Sequence, residues 1–204
     1  MPIARSQQID LNVTPYYHCY VRCVRKAYLC GLNDVGKDCN HRRGWIVAKL
    51  EFLPQVFAID VVSYAVMHNH YHVVLHVDRE KALAWTPEEV MKRWRSLTKT
   101  SLLVTPTPET IEQWRENLYS ISWFMRFINE SVAVLANRED EVTGRFWEGR
   151  FRSQALTDEG ALLACATYVD LNPIRAKMAP TLEKSDYTSI QKRVDAYKED
   201  KPTP

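Results

Sequence analysis

The segment HYHVVLHV at residues 70–77 limits the folds open to this chain more than any other stretch. Its β-branched and aromatic residues read as a strand, and its histidines recur with a period of two. His68, His70, His72 and His76 share one parity, so an extended strand directs all four imidazoles to one face. Tyr71, Val73, Leu75 and Val77 take the other face and suit packing against helices. A sheet built around this strand has one face for the core and one that is not plain core. Same-face neighbours on a strand come close enough for two imidazoles to share a cation, and neutral imidazole is a common metal ligand. His70 and His72 are thus a candidate metal half-site, set against the alternative of hydrogen-bonded structural histidines. No Asp or Glu in the strand completes the site.

Residues 16–24 (YYHCYVRCV) and 57–67 (FAIDVVSYAVM) have the same composition and read as further strands. Between them WIVAKLEFL has the apolar spacing of a helix leading into Pro54, which predicts a β–α–β–β opening. After Pro87 the pattern turns helical. EEVMKRWRSL is amphipathic, TPTP at 105–108 breaks the chain, and SISWFMRFINESVAVLANRE carries apolar residues at helical spacing. Thr157 or Asp158 can cap a helix that runs to about Asn172, where Pro173 disfavours α geometry in the residue before it. The expectation is an α+β domain over residues 1–180, with residues 181–204 as a C-terminal helix and tail. A boundary near TPTP is the alternative division.

A hydrophobic fraction of 46% with 25% charged residues is ordinary for a soluble domain, and no apolar run approaches the roughly eighteen residues of a membrane span. The first residues, MPIARSQQIDLNV, hold no apolar leader, which predicts a cytoplasmic protein whose five cysteines are free thiols. Cys23, Cys30, Cys39 and His41 lack the close paired spacing of zinc sites.

The net charge of +2 does not by itself point to nucleic acid, but its distribution is uneven. VRCVRK brings Arg22 and Arg25, HRR brings Arg42 and Arg43, and GRFWEGRFR interleaves Arg145, Arg150 and Arg152 with Phe146, Trp147 and Phe151. Guanidinium groups for phosphates beside flat rings for bases are what a single strand needs. A solvated loop whose aromatics cap the core is the competing reading.

In the helix TDEGALLACATYVDLNPIRA, Leu162, Leu163, Ala166 and Val169 fall within an arc of roughly 120°, an ordinary buried stripe. Tyr168 and Asn172 lie nearly opposite, one turn apart, with small neighbours at Ala161, Ala164 and Cys165. A phenol set among small side chains is presented to something, or is a surface tyrosine followed by an Asn cap.

MHNHYHVVLHV, then GRFWEGRFRSQAL about 70 residues on, then YVDLNPIRAKM resemble the REP-associated tyrosine transposases of the single-tyrosine HUH superfamily. The resemblance extends to YYHCYVRCVRKAYLCG and SISWFMRFINE and covers roughly residues 15–180. It implies a ferredoxin-like antiparallel sheet with helices packed on one face. It also implies that His70 and His72 bind a divalent cation, Mg or Mn, with Asn172 completing the set, and that Tyr168 is the nucleophile. His68 stands where the family usually has a proline.

A free tyrosine titrates near 10, so about one in a thousand is phenolate at pH 7, and such a nucleophile needs a polarised phosphate. The expected activity is cutting and rejoining of single-stranded DNA beside hairpins through a 5′-phosphotyrosine. No organic cofactor and no membrane partner are expected, in a monomer or homodimer. Two other classes compete with this reading. One is a metal-dependent nuclease that forms no covalent adduct, and the other is a hairpin-binding regulator that cuts nothing.

Overall fold

A computed structural model of the protein describes residues 8–24, 28–32, 36–98 and 105–199, so Arg25 of the first basic run lies outside the described residues. Four strands, β1 (Tyr16–Arg22), β2 (Ile59–Val66), β3 (His70–Val77) and β4 (Arg152–Ala155), form one antiparallel sheet in the order β2-β3-β1-β4. The first three coincide with the stretches that composition and alternation predict. The fourth, RSQA, has no β-branched or aromatic residue. It becomes a strand because the free edge of β1 offers backbone partners, from Tyr17 opposite Ala155 to Tyr20 opposite Arg152. Long-range pairing, not local propensity, makes this element.

The helices are α1 (Arg42–Phe52), α2 (Arg79–Leu83), α3 (Pro87–Leu97), α4 (Pro108–Leu118), α5 (Ile121–Glu139), α6 (Glu159–Arg175) and α7 (Ser189–Lys198). Proline opens α3 and α4, where its missing N–H costs nothing, and the Thr86 and Thr107 hydroxyls cap the first turns. β1–α1–β2–β3, the helices α2 to α5, and then β4 beside β1 make up a ferredoxin-like α+β arrangement.

The odd-numbered residues of β1 and β3, among them Tyr17, Cys19, Tyr71, Val73 and Leu75, face the main core. There they meet Ile46 and Leu50 of α1 and Phe124, Met125, Ile128 and Val132 of α5. At about 25 cal/mol per Å² of apolar area, this is the layer that stabilises the fold.

Helices on a single face do not account for the whole sheet. α6 crosses the opposite face, where Val169, with Leu162 and Cys165 packed around it, meets Ala65, Met67 and Val74. That second layer is thin and leaves part of the sheet face open.

The expected stripe of α6 is rotated. Leu163 is 70% exposed, whereas Val169, Asn172 and Pro173 are buried. Ala161, Leu162, Cys165 and Val169 face the strands, while Leu163 and Thr167 are exposed. Asp158 caps α6 by accepting from the Ala161 N–H at 2.8 Å, and Pro173 lies inside the last turn instead of ending the helix. The same helix is pinned at Asp170, which accepts from the Ser63 hydroxyl of β2 at 3.0 Å and pairs with Arg193 of α7. α7 is joined to the β2 edge as well, through the Tyr64 N–H to Ser189 Oγ (2.9 Å) and a bridge between Ala65 and Thr188.

Cys19, Cys23, Cys30, Cys39 and Cys165 are free thiols. Among the described residues no helix is long and apolar enough to cross a membrane.

Candidate active site

The sheet face beneath α6 carries the even-numbered residues of β1 and β3. His18, Tyr20 and Arg22 stand beside His70 and His72, with Arg152 and Gln154 of β4 next in line. α6 covers one side of this patch and the loop at Glu148–Arg150 borders another, leaving a cavity of about 1000 Å³. Its floor is imidazole and phenol. Arg22, Arg150 and Arg152 stand on its walls, and Ala161, Ala164, Cys165 and Tyr168 line it from the helix.

Of the four same-parity histidines the structure brings two together. His70 and His72 have ring centroids 5.0 Å apart, nearly perpendicular. His68 is exposed in the β2–β3 turn, ahead of the strand. His76, two pleats further along β3, packs on Tyr16 and pairs with Asp60 at 3.3 Å. A histidine from β1 joins in their place: His18 Nε2 lies 2.9 Å from His72 Nδ1, and the two rings stack. The alternation of His18, Tyr20 and Arg22 against Tyr17, Cys19 and Val21 was the signal for it.

Burial pushes His72 down to about 3, with His18, His70 and Arg22 adding to the effect. Burial, then Arg22 and His68, push His70 down to about 4. Both rings are neutral at pH 7 and keep a lone pair. Each has Nδ1 engaged, His72 with His18 and His70 with the Asn69 side-chain oxygen at 2.9 Å. Nε2 of each ring has no hydrogen-bond partner among the described residues, which is how a metal-binding histidine is set up. Among those residues, however, no cluster of three or more His, Cys, Asp or Glu side chains is placed to hold a metal ion. Such a centre would rest on two imidazoles and neutral donors.

Tyr168 is 40% exposed, with its ring edge-on to His72 at 5.7 Å and to His18 at 6.4 Å. Arg175, two turns along α6, lies 5.3 Å from the centre of the phenol ring. The seven-residue spacing that puts these two on one face was legible in YVDLNPIR. Asn172 is buried and off the cavity wall, and its Nδ2 has no partner among the described residues.

The basic residues divide by burial. Arg22, Arg150 and Arg152 are exposed on the cavity, and Arg145 is exposed away from it. Arg43 lies 4.3 Å from the Tyr187 ring centre. Arg42 and Trp147 are corrections to the expected DNA surface. Arg42 is wholly buried and donates to Glu139, Asp140 and the Tyr28 carbonyl. Trp147 is buried against Tyr71 and donates its indole N–H to the Asn129 carbonyl at 2.9 Å. Both belong to the core because their donors find partners there.

Arg42→Ala should lower unfolding free energy by about 3 kcal/mol, the low end for breaking a buried ion pair, because Glu139 and Asp140 remain partly solvated. Denaturant titration measures this. Unchanged stability with weakened DNA affinity would return Arg42 to the binding surface.

No protein-family profile and no curated protein matches the sequence. A solved structure of a REP-associated tyrosine transposase bound to a REP hairpin superposes with a TM-score of 0.57 at 10% identity, covering 96% of this chain and 86% of that one. At that identity the likeness concerns the fold, and the chain has a transposase-like fold.

Proposed function

We propose that the chain is a DNA strand-transferring enzyme that cuts and rejoins single-stranded DNA beside a hairpin, with Tyr168 as nucleophile and His70 and His72 as ligands of a divalent cation, Mg or Mn. The observation that carries this reading is the placement of Tyr168 edge-on to His72 across a cavity walled by Arg22, Arg150 and Arg152. The fold likeness to a hairpin-bound transposase supports the same class of substrate.

The two histidines fit a cation of this kind, since both rings are neutral and Nε2 of each is unpartnered among the described residues. His70 and His72 would hold it; Asn172, the third ligand that the resemblance implies, is buried and off the cavity wall. When bound, it would supply charge to polarise the scissile phosphate and relieve repulsion toward the incoming oxygen. The imidazoles that would hold it are uncharged, so its positive charge would be left to attract the substrate phosphate.

Tyr168 Oη forms a bond to phosphorus as the bond to the 3′ oxygen breaks. The phenolic proton passes to solvent and the leaving 3′ oxygen takes a proton from solvent, so the products are a 5′-phosphotyrosine and a free 3′-OH. A second 3′-OH then attacks the same phosphorus, expels the tyrosine and restores a phosphodiester, so no nucleotide cofactor is consumed. Arg22, Arg150 and Arg152 grip the backbone, and their partial exposure lets them follow a single strand. Tyr20, beside His72 at 5.6 Å, offers a ring to the bases.

A labelled stem with an unpaired flank, incubated with protein and Mn²⁺, should yield a covalent protein–DNA band, and the fully paired duplex should not. Pairing resists entry because each stacked step costs on the order of 1–2 kcal/mol to disrupt. The Arg150→Ala/Arg152→Ala double variant should flatten the log K against log salt slope by about 0.7 for each phosphate it no longer neutralises. Equal cutting of duplex and flank, or an unaltered slope, would remove single-strand specificity from the proposal.

A further inference from the structure

The third histidine of the cavity has no part in the chemistry proposed above, yet its placement bears directly on His72. His18 stands on β1 diagonally across from His72, since His72 pairs with Tyr20 and His18 with Val74. Both imidazoles are buried, with ring centroids 5.1 Å apart, and His18 Nε2 meets His72 Nδ1 at 2.9 Å. A neutral imidazole carries one proton on one of two nitrogens. A hydrogen bond between these two nitrogens therefore has one of two polarities. If His18 donates, His72 has its own proton on Nε2 and cannot ligate a cation through it. If His72 donates from Nδ1, its Nε2 lone pair is free toward the cavity.

We infer that His18 is a positioning residue that accepts the Nδ1–H of His72 and so holds His72 in the tautomer whose Nε2 is open to a cation. The inference rests on the reading of His70 and His72 as cation ligands. Asn69 plays the matching part for His70, its side-chain oxygen meeting that ring's Nδ1 at 2.9 Å, so both rings are locked the same way round. Outer partners that orient ligating imidazoles are commonly carboxylates or carbonyls. An imidazole and an amide do this without adding negative charge, which leaves the floor attractive to a phosphate backbone. His18 also touches the edge of Tyr168, so the same ring that sets the tautomer borders the phenol.

The test compares the wild type with His18→Leu, which fills the space without an acceptor, and His18→Gln, whose side-chain oxygen accepts in its place. Side-chain ¹⁵N NMR of the metal-free protein should show His72 protonated on Nδ1 in the wild type and in His18→Gln, and shifted toward Nε2–H in His18→Leu. Mn²⁺ affinity, read from the EPR signal of the free ion, should fall on the order of 10–100-fold in His18→Leu, as for other losses of an outer-shell partner. His18→Gln should stay within about threefold of the wild type, well short of that loss. Thermal melts of both variants report the fold. If His18→Leu does not fold, the wild type and His18→Gln carry the decision. An Nε2–H tautomer of His72 in the wild type overturns the inference while leaving the metal pair standing. A folded His18→Gln that binds as weakly as His18→Leu also overturns it, because packing alone would then explain the loss. Undiminished Mn²⁺ binding by His72→Ala sinks the metal pair itself and takes the inference with it.

Discussion

Tyr168→Phe should abolish the covalent protein–DNA adduct while leaving the fold and hairpin affinity in place. The change removes one oxygen and keeps the ring that packs edge-on to His72 and His18 and lies under Arg175. The hydroxyl has no hydrogen-bond partner among the described residues, and Tyr168 is 40% exposed, so its loss leaves no buried group stranded. Stability should move by no more than about 0.5 kcal/mol, as for surface changes that touch no special feature. Binding should survive because the cavity arginines are untouched. The measurement is denaturing gel electrophoresis of labelled hairpin DNA beside a gel-shift titration of the same variant. Cleavage at the wild-type rate by the Phe variant would remove Tyr168 from the mechanism. Cleavage by the wild type without any adduct would favour a nuclease of another kind.

His72→Ala, and separately His70→Ala, should remove metal-dependent cleavage and weaken Mn²⁺ binding by more than about a hundredfold, beyond what loss of an outer-shell partner costs. His68→Ala should have little effect, since His68 is exposed in the turn before β3, and His76→Ala should behave alike because it pairs with Asp60 instead. The lowered proton affinity of the two rings adds a signature. Two ordinary histidines titrating near 6.5 would lose roughly a hundredfold in metal affinity between pH 8 and 5.5. Here His70 and His72 stay neutral down to about 4 and about 3, so Mn²⁺ affinity should be nearly level over that range.

The same lowering costs the fold stability in acid. An unfolded chain takes up these protons near 6.5 and the folded chain does not, so stability is complete above that value and falls as the pH drops toward 3. His72→Ala should blunt this acid sensitivity. An essential His68 with a dispensable His72 would move the metal pair one step along the strand.

Much of the fold was present in local pattern. The two-faced strand at 70–77, the first two strands and the long helix α5 follow from periodicities of two and 3.6 that a short segment carries by itself. The Tyr168 helix and its Asp158 cap were equally local. β4 was not legible, because RSQA becomes a strand only when β1 offers it an edge.

The site divides along the same line. Parity alone grouped four histidines, but the turn at His68 and the distance to His76 remove two, and cross-strand register brings in His18. A run of arginines and aromatics looks alike whether its members face water or core. Arg42 and Trp147 went inside because Glu139, Asp140 and Asn129 were waiting for their donors, and those partners lie far away in sequence or on another element. α6 turned Leu162, Cys165 and Val169 to the sheet and left Leu163 outside, a rotation set by Ala65, Met67 and Val74 on the strands it packs against. Local chemistry and spacing thus determined the elements and the kinds of side chain on each face. The tertiary structure decided which of them meet, because register, burial and helix rotation are set by partners that no short stretch of the chain contains.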